Sequence, residues 1–153
     1  MFERDKTTRR IFTVCLIVVL LPVLILGGGR LYNDALLNGV ESDLCDALEA
    51  EEIAVIESKS VCGKLNGNGN GMNFFAAALV KATPEALDAV VSALSEEHER
   101  VSYVKQTAAK IDLSYLEHRT LIYDHKDYSD GEYYTVYVYD SGLKSFPLDV
   151  RGH

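Results

Sequence analysis

Between Ile11 and Gly29 this chain has no Asp, Glu, Lys or Arg. That absence excludes an ordinary surface helix, which keeps a polar face toward water. The nineteen residues of the run make a helix of roughly 28 Å at about 1.5 Å per residue, close to the roughly 30 Å hydrocarbon core of a bilayer. Arg4, Lys6, Arg9 and Arg10 precede the run, and after Arg30 the next cation is Lys59. The positive-inside bias then leaves residues 1–10 in the cytoplasm and sends residues 31–153 outside it. Two fates fit such a segment. As an anchor it stays in the membrane at 11–29, and its apolar core from Ile11 to Leu26 exceeds the usual 7 to 15 residues of a leader. As a leader it is removed near Gly27 to Gly29, small residues that a signal peptidase accepts, and the domain is secreted.

Cysteine is scarce, with three in the whole chain. Cys15 lies inside the apolar run and lacks the small preceding residue of a lipidation site, so it reads as apolar filler. Cys45 and Cys62 lie beyond the membrane, where disulfides persist, and are expected to pair. Closing a loop of about seventeen residues in this way is worth roughly 3 kcal/mol on the chain-entropy model. No histidine is spaced with these cysteines as a zinc ligand would be, so no metal is expected.

A surplus of basic residues is also missing. From Leu31 onward ten Lys plus Arg face twenty-one Asp plus Glu, a formal charge of −11. Such a domain repels phosphate polymers and anionic lipid surfaces and leaves protein or neutral glycan partners as the candidates. Motifs of known chemistry are absent as well. There is no Gly-x-Ser-x-Gly elbow and no His-Glu-x-x-His helix. The glycines Gly67, Gly69 and Gly71 have the wrong spacing for a dinucleotide fingerprint, and Gly63-Lys64 lacks the other residues of a phosphate loop. The loop 124–132 carries Asp127, Asp130 and Glu132, but Tyr137 stands where an EF-hand needs its bidentate Glu. No catalytic residue and no cofactor is therefore assigned. The least unfavourable catalytic cluster is His118 with His125 and Asp124, which would make a hydrolase of the cell envelope.

Turning to what is present, Leu36, Leu37, Val40, Leu44, Ala47 and Leu48 recur at helical intervals within Leu31 to Ala50, as one helix or as two broken near Gly39. Residues 52–65 and 72–82 read as strands joined by three consecutive Asn-Gly pairs, the composition of a hairpin turn. Thr83-Pro84-Glu85 opens a helix, with Thr83 as its cap and Leu87, Val90, Val91 and Leu94 as its apolar stripe. His98, beyond that stripe, reads as a boundary residue. Residues 101–111 are ambiguous, whereas 116–123 and 132–140 are expected strands. The order predicts an α+β fold, in which a transmembrane or signal helix precedes a small antiparallel sheet of two hairpins packed by helices.

Alternation along residues 132–140 puts Tyr134, Val136 and Val138 on one face and Tyr133, Tyr137 and Tyr139 on the other. With Tyr123 and Arg119 on a neighbouring strand, the second face forms an expected aromatic stripe for protein or sugar recognition. Asn68 and Asn70, at the Asn-Gly tip, are the second expected contact. The chain is thus expected to be a membrane-tethered extracytoplasmic binding or accessory module. A cell-envelope enzyme and a small subunit of a membrane complex are the alternatives.

Overall fold

A computed structural model describes residues 2–63, 71–112, 120–141 and 143–149. The apolar run and the first amphipathic stretch are one helix, α1 (Phe2–Ala50). Its 49 residues extend about 74 Å at about 1.5 Å per residue. Gly39 does not break it, because that position faces open space and loses only helix propensity, about 1 kcal/mol. Pro22 also lies within the helix.

The two halves of α1 differ in what they touch. From Ile11 to Leu26 the large apolar side chains are exposed, and α1 is long and apolar enough to cross a membrane. From Gly29 onward a buried row appears at Gly29, Asn33, Leu37, Val40, Leu44 and Leu48, spaced by three or four residues along one face. That face is the floor of the domain core. The helix ends in a Schellman motif: the Ile53 N–H donates to the Leu48 carbonyl at 2.9 Å and the Glu52 N–H to that of Glu49 at 2.9 Å. Glu52 takes the left-handed position, with φ 58°.

The chain then builds β1 (Val55–Gly63), β2 (Asn73–Lys81), α2 (Pro84–Leu94), β3 (Arg100–Gln106), β4 (Lys110–Ile111), β5 (Leu121–Ile122) and β6 (Tyr133–Asp140). The main sheet has the order β1-β2-β6-β3. The hairpin β1–β2 is antiparallel, as the Asn-Gly run suggested, with an irregularity between Val55 and Glu57. Because β6 is antiparallel to both β2 and β3, those two strands run parallel, with α2 as their crossover and β6 inserted between them. The expected pairing of β6 with the strand before it does not form. Leu121–Ile122 pairs with β4 in a separate two-stranded sheet.

Both faces of the main sheet are covered, which is why every residue of β6 is buried. One face carries Phe74, Ala76, Ala78, Val80, Tyr134, Val136 and Val138 against α1 and α2. Leu87, Val90 and Leu94 supply the stripe of α2, as its spacing predicts. Pro84 and Glu85 occupy the expected positions, but the Thr83 hydroxyl makes no capping hydrogen bond. The opposite face carries Phe75, Ala77, Leu79, Tyr133, Tyr137 and Tyr139, closed over by Ile111 and Tyr123 with Leu121 and Tyr128 packed against them.

Candidate functional site

The alternation of β6 places Tyr133, Tyr137 and Tyr139 on one face together, as predicted, but that face is not open. Tyr133 is 4%, Tyr137 9%, Tyr139 6% and Tyr123 0% exposed. The expected aromatic stripe is a second core, covered by the β4–β5 sheet and the loop that leads into β6. Phe75 stacks on Tyr137 with ring centroids 5.9 Å apart. The Tyr139 hydroxyl donates to Asn73 Oδ1 at 2.8 Å, and the Tyr133 hydroxyl donates to Asp130. That bond to Asp130, together with burial, pushes the Tyr133 phenol up to about 12. Burial pushes the Tyr123 phenol up as well, in a pocket where its hydroxyl lies 3.3 Å from that of Thr135. Arg119, His118, Asn68 and Asn70 lie outside the described residues.

His125 belongs to this cover. Its ring meets Tyr128 and Tyr133, each at 4.9 Å between centroids, and its Nε2 bonds the Asp127 carbonyl. The first strand of the sheet fixes the loop. Glu57 of β1 accepts from the Asp124 N–H at 2.8 Å and the His125 N–H at 3.2 Å, and it pairs with Lys59 at 2.8 Å. Desolvation, the largest effect on Glu57, pushes its carboxyl up. Hydrogen bonds from Lys59, His125 and Asp124, with the Lys59 charge, outweigh it and hold the group below its ordinary 4.5. The three carboxylates of the loop diverge to separate partners: Asp127 to Ser129, Asp130 to Lys81, and Glu132 to Lys105. Among the described residues no group of three or more His, Cys, Asp or Glu is placed to hold a metal ion.

Cys45 and Cys62 are not joined. Cys45 borders an open cleft beside Val55, at the start of β1, with Glu49, Glu52 and Ile53. Cys62 lies near the far end of the same strand, beside its last residue Gly63. Burial, with the charges of Glu41 and Asp46, pushes the Cys45 thiol up, away from the reactive thiolate. In place of a covalent bridge, Glu41 ties α1 to β1 by accepting from the Ser58 and Ser60 hydroxyls, each at 2.5 Å.

His98, expected as a boundary residue, is partly buried and joins two elements of the fold. Its Nδ1 meets Asp140 Oδ2 at 2.6 Å, its Nε2 lies 3.6 Å from Asp43 of α1, and the side chain is 6% exposed. Asp140 Oδ1 also accepts from the Glu99 N–H at 2.7 Å, so the end of β6 is fastened to the start of β3. The ring is largely shielded from solvent between α1 and the end of β6.

The end of the domain next to the apolar run of α1 holds the grouping that sequence reasoning missed. Asn33, on the core-facing row of α1 and 0% exposed, grips the C-terminal segment. Its Oδ1 accepts from the Phe146 N–H at 2.8 Å. Its Nδ2 donates to the Phe146 carbonyl at 3.2 Å and to Asp149 Oδ2 at 3.0 Å. One turn earlier the Phe146 ring lies on Gly29 so closely that a Cβ there would fall 2.0 Å from it. The signal was available in the spacing. Gly29 and Asn33 continue the row of Leu37 backward by steps of four, and a polar residue on an apolar row needs a fixed partner.

This places the C-terminal segment at the level where the apolar run of α1 ends, with Leu31, Tyr32 and Leu148 exposed around it. No family model matches the chain, and neither a curated protein nor a solved structure matches it.

Proposed function

We propose that this protein is a single-pass membrane protein whose outer domain is a rigid binding or accessory module, retained on its helix rather than released from it. The observation that carries the reading is the continuity of α1, which supplies both an exposed apolar span and the buried row of the core. A cleavable leader is a disposable element. Here the residues a peptidase would cut are helical, and Gly29 lies under Phe146. Removal near Gly29 would strip that contact and begin the mature chain four residues from Asn33.

The basic residues before the span support a cytoplasmic N-terminus, with the acidic domain outside. Because α1 is continuous, a tilt of the span turns the floor of the domain as one body, a coupling that a flexible linker would lose. Partners are protein or neutral glycan, as the negative charge of the domain favours. The test is recovery of the protein from isolated membranes washed in alkaline carbonate, followed by intact mass. The full-length mass in the washed pellet is expected. A soluble species beginning near residues 28–30 would overturn the reading.

A further inference from the structure

We infer that the membrane-proximal face of the domain, formed by Leu31 and Tyr32 of α1 with Phe146, Pro147 and Leu148 of the C-terminal segment, rests in the headgroup layer of the outer leaflet. The inference rests on the anchored reading above and adds what this face touches. Helix geometry sets the depth. Leu31 and Tyr32 lie only about 3 to 5 Å beyond Gly29 at about 1.5 Å per residue. The polar layer of each leaflet is about 5 to 8 Å thick. Both side chains are therefore held within it.

The C-terminal segment is brought to the same level by separate contacts. Phe146 packs on Gly29, and Asn33 holds the Phe146 peptide and Asp149 one turn above. Leu148 is 57% exposed, Leu31 71% and Tyr32 49%. Exposed apolar side chains from two unconnected stretches of chain thus lie at the level where the apolar run of α1 ends. A tyrosine at that height suits the interface, where its ring reaches apolar chains and its hydroxyl stays wet. The occupant is the bilayer because the face is continuous with the apolar span. A neighbouring protein is the competing occupant.

The chain contains no tryptophan, so each introduced tryptophan is the sole indole reporter. Full-length protein is reconstituted in phosphatidylcholine vesicles brominated either near the glycerol or near the chain ends. Four variants are compared: Leu148→Trp, Tyr32→Trp, Leu20→Trp in the span, and Ile56→Trp, which is exposed at the far end of the domain. Leu148→Trp and Tyr32→Trp are expected to lose most emission to the shallow bromines, Leu20→Trp to the deep ones, and Ile56→Trp to neither. If Leu20→Trp is quenched while Leu148→Trp and Tyr32→Trp behave like Ile56→Trp, the span stands and the inference is wrong. If Leu20→Trp also escapes quenching, the anchored reading falls and the inference with it. Quenching of Tyr32→Trp without Leu148→Trp removes the C-terminal segment from the face and overturns the inference as stated.

Discussion

Asn33 brackets the Phe146 peptide from both sides, accepting from its N–H at 2.8 Å and donating to its carbonyl at 3.2 Å. A single buried amide thereby ties the last part of the chain to the first helix, across 113 residues of sequence. Asn33→Leu keeps the volume but leaves the Phe146 groups without this partner. It is expected to cost about 2 to 4 kcal/mol, since each buried polar group left unsatisfied costs about 1 to 3 kcal/mol. Limited proteolysis should then cut near residues 143–149 before any other site. Unchanged denaturation and an uncut C-terminus would show that the bracket does not hold the segment.

Three glycines stand in a row at 27–29, and only one is required by its surroundings. A Cβ at Gly27 or Gly28 meets nothing within 4 Å, whereas one at Gly29 would fall 2.0 Å from the Phe146 ring. Gly27→Ala and Gly28→Ala are expected to be neutral or slightly stabilising, because alanine is the better helix former by about 1 kcal/mol. Gly29→Ala is expected to displace Phe146 and destabilise the domain by about 1 to 3 kcal/mol, the usual range for overpacking. Thermal unfolding of the three variants side by side checks this, and equal effects at all three positions would contradict it.

Glu52 closes α1 in the left-handed conformation, with φ 58°. A side chain there costs roughly 1 kcal/mol relative to glycine. Glu52→Gly should accordingly raise the stability of the domain by about 0.5 to 1 kcal/mol. Chemical denaturation reads this as a higher midpoint with an unchanged slope. A lower midpoint would mean that the Glu52 side chain contributes more than its backbone costs.

Glu57 links stability to pH. Its carboxyl is held below 4.5 in the folded protein. A folded pKa below the unfolded one contributes stability that is present above the unfolded value and lost as pH falls through the folded value. The loss should therefore start just below pH 4.5 and continue downward, and Glu57→Gln should flatten the fall in that window. Since Glu57 accepts from the Asp124 and His125 amides, the loop at 124–125 should loosen first on acidification. Amide exchange across the same range checks it. Equal slopes for the two proteins below pH 4.5 would contradict the assignment.

Local signals were legible in the sequence, and non-local ones were not. The α+β class, the β1–β2 hairpin and the stripe of α2 follow from spacings and turn residues within a dozen positions of one another. The faces of β6 were also readable, because alternation is a local property. Which strand lies beside β6 was not, since β2 and β3 reach it from distant parts of the chain. The tyrosine face looked open for the same reason. Its cover comes from Ile111, Leu121, Tyr123 and Tyr128, two-residue strands and a polar loop that carry almost no periodicity. Cys45 and Cys62 are unjoined, and their spacing in sequence carries no information on their separation in the fold. The Asn33 grip went unread because its partners lie at the far end of the chain.

On the proposed reading, α1 persists as a membrane-spanning helix that carries the domain outside the cytoplasm. This is tested most directly by labelling intact cells with a membrane-impermeant maleimide, after the three native cysteines are replaced by alanine. Asp112→Cys, exposed on the domain, is expected to react in intact cells. Thr8→Cys, ahead of the span, is expected to react only after the membrane is opened, and on a chain of the same full-length mass. Labelling of Thr8→Cys from outside, protection of Asp112→Cys, or a mature chain that no longer contains position 8 would each contradict the account.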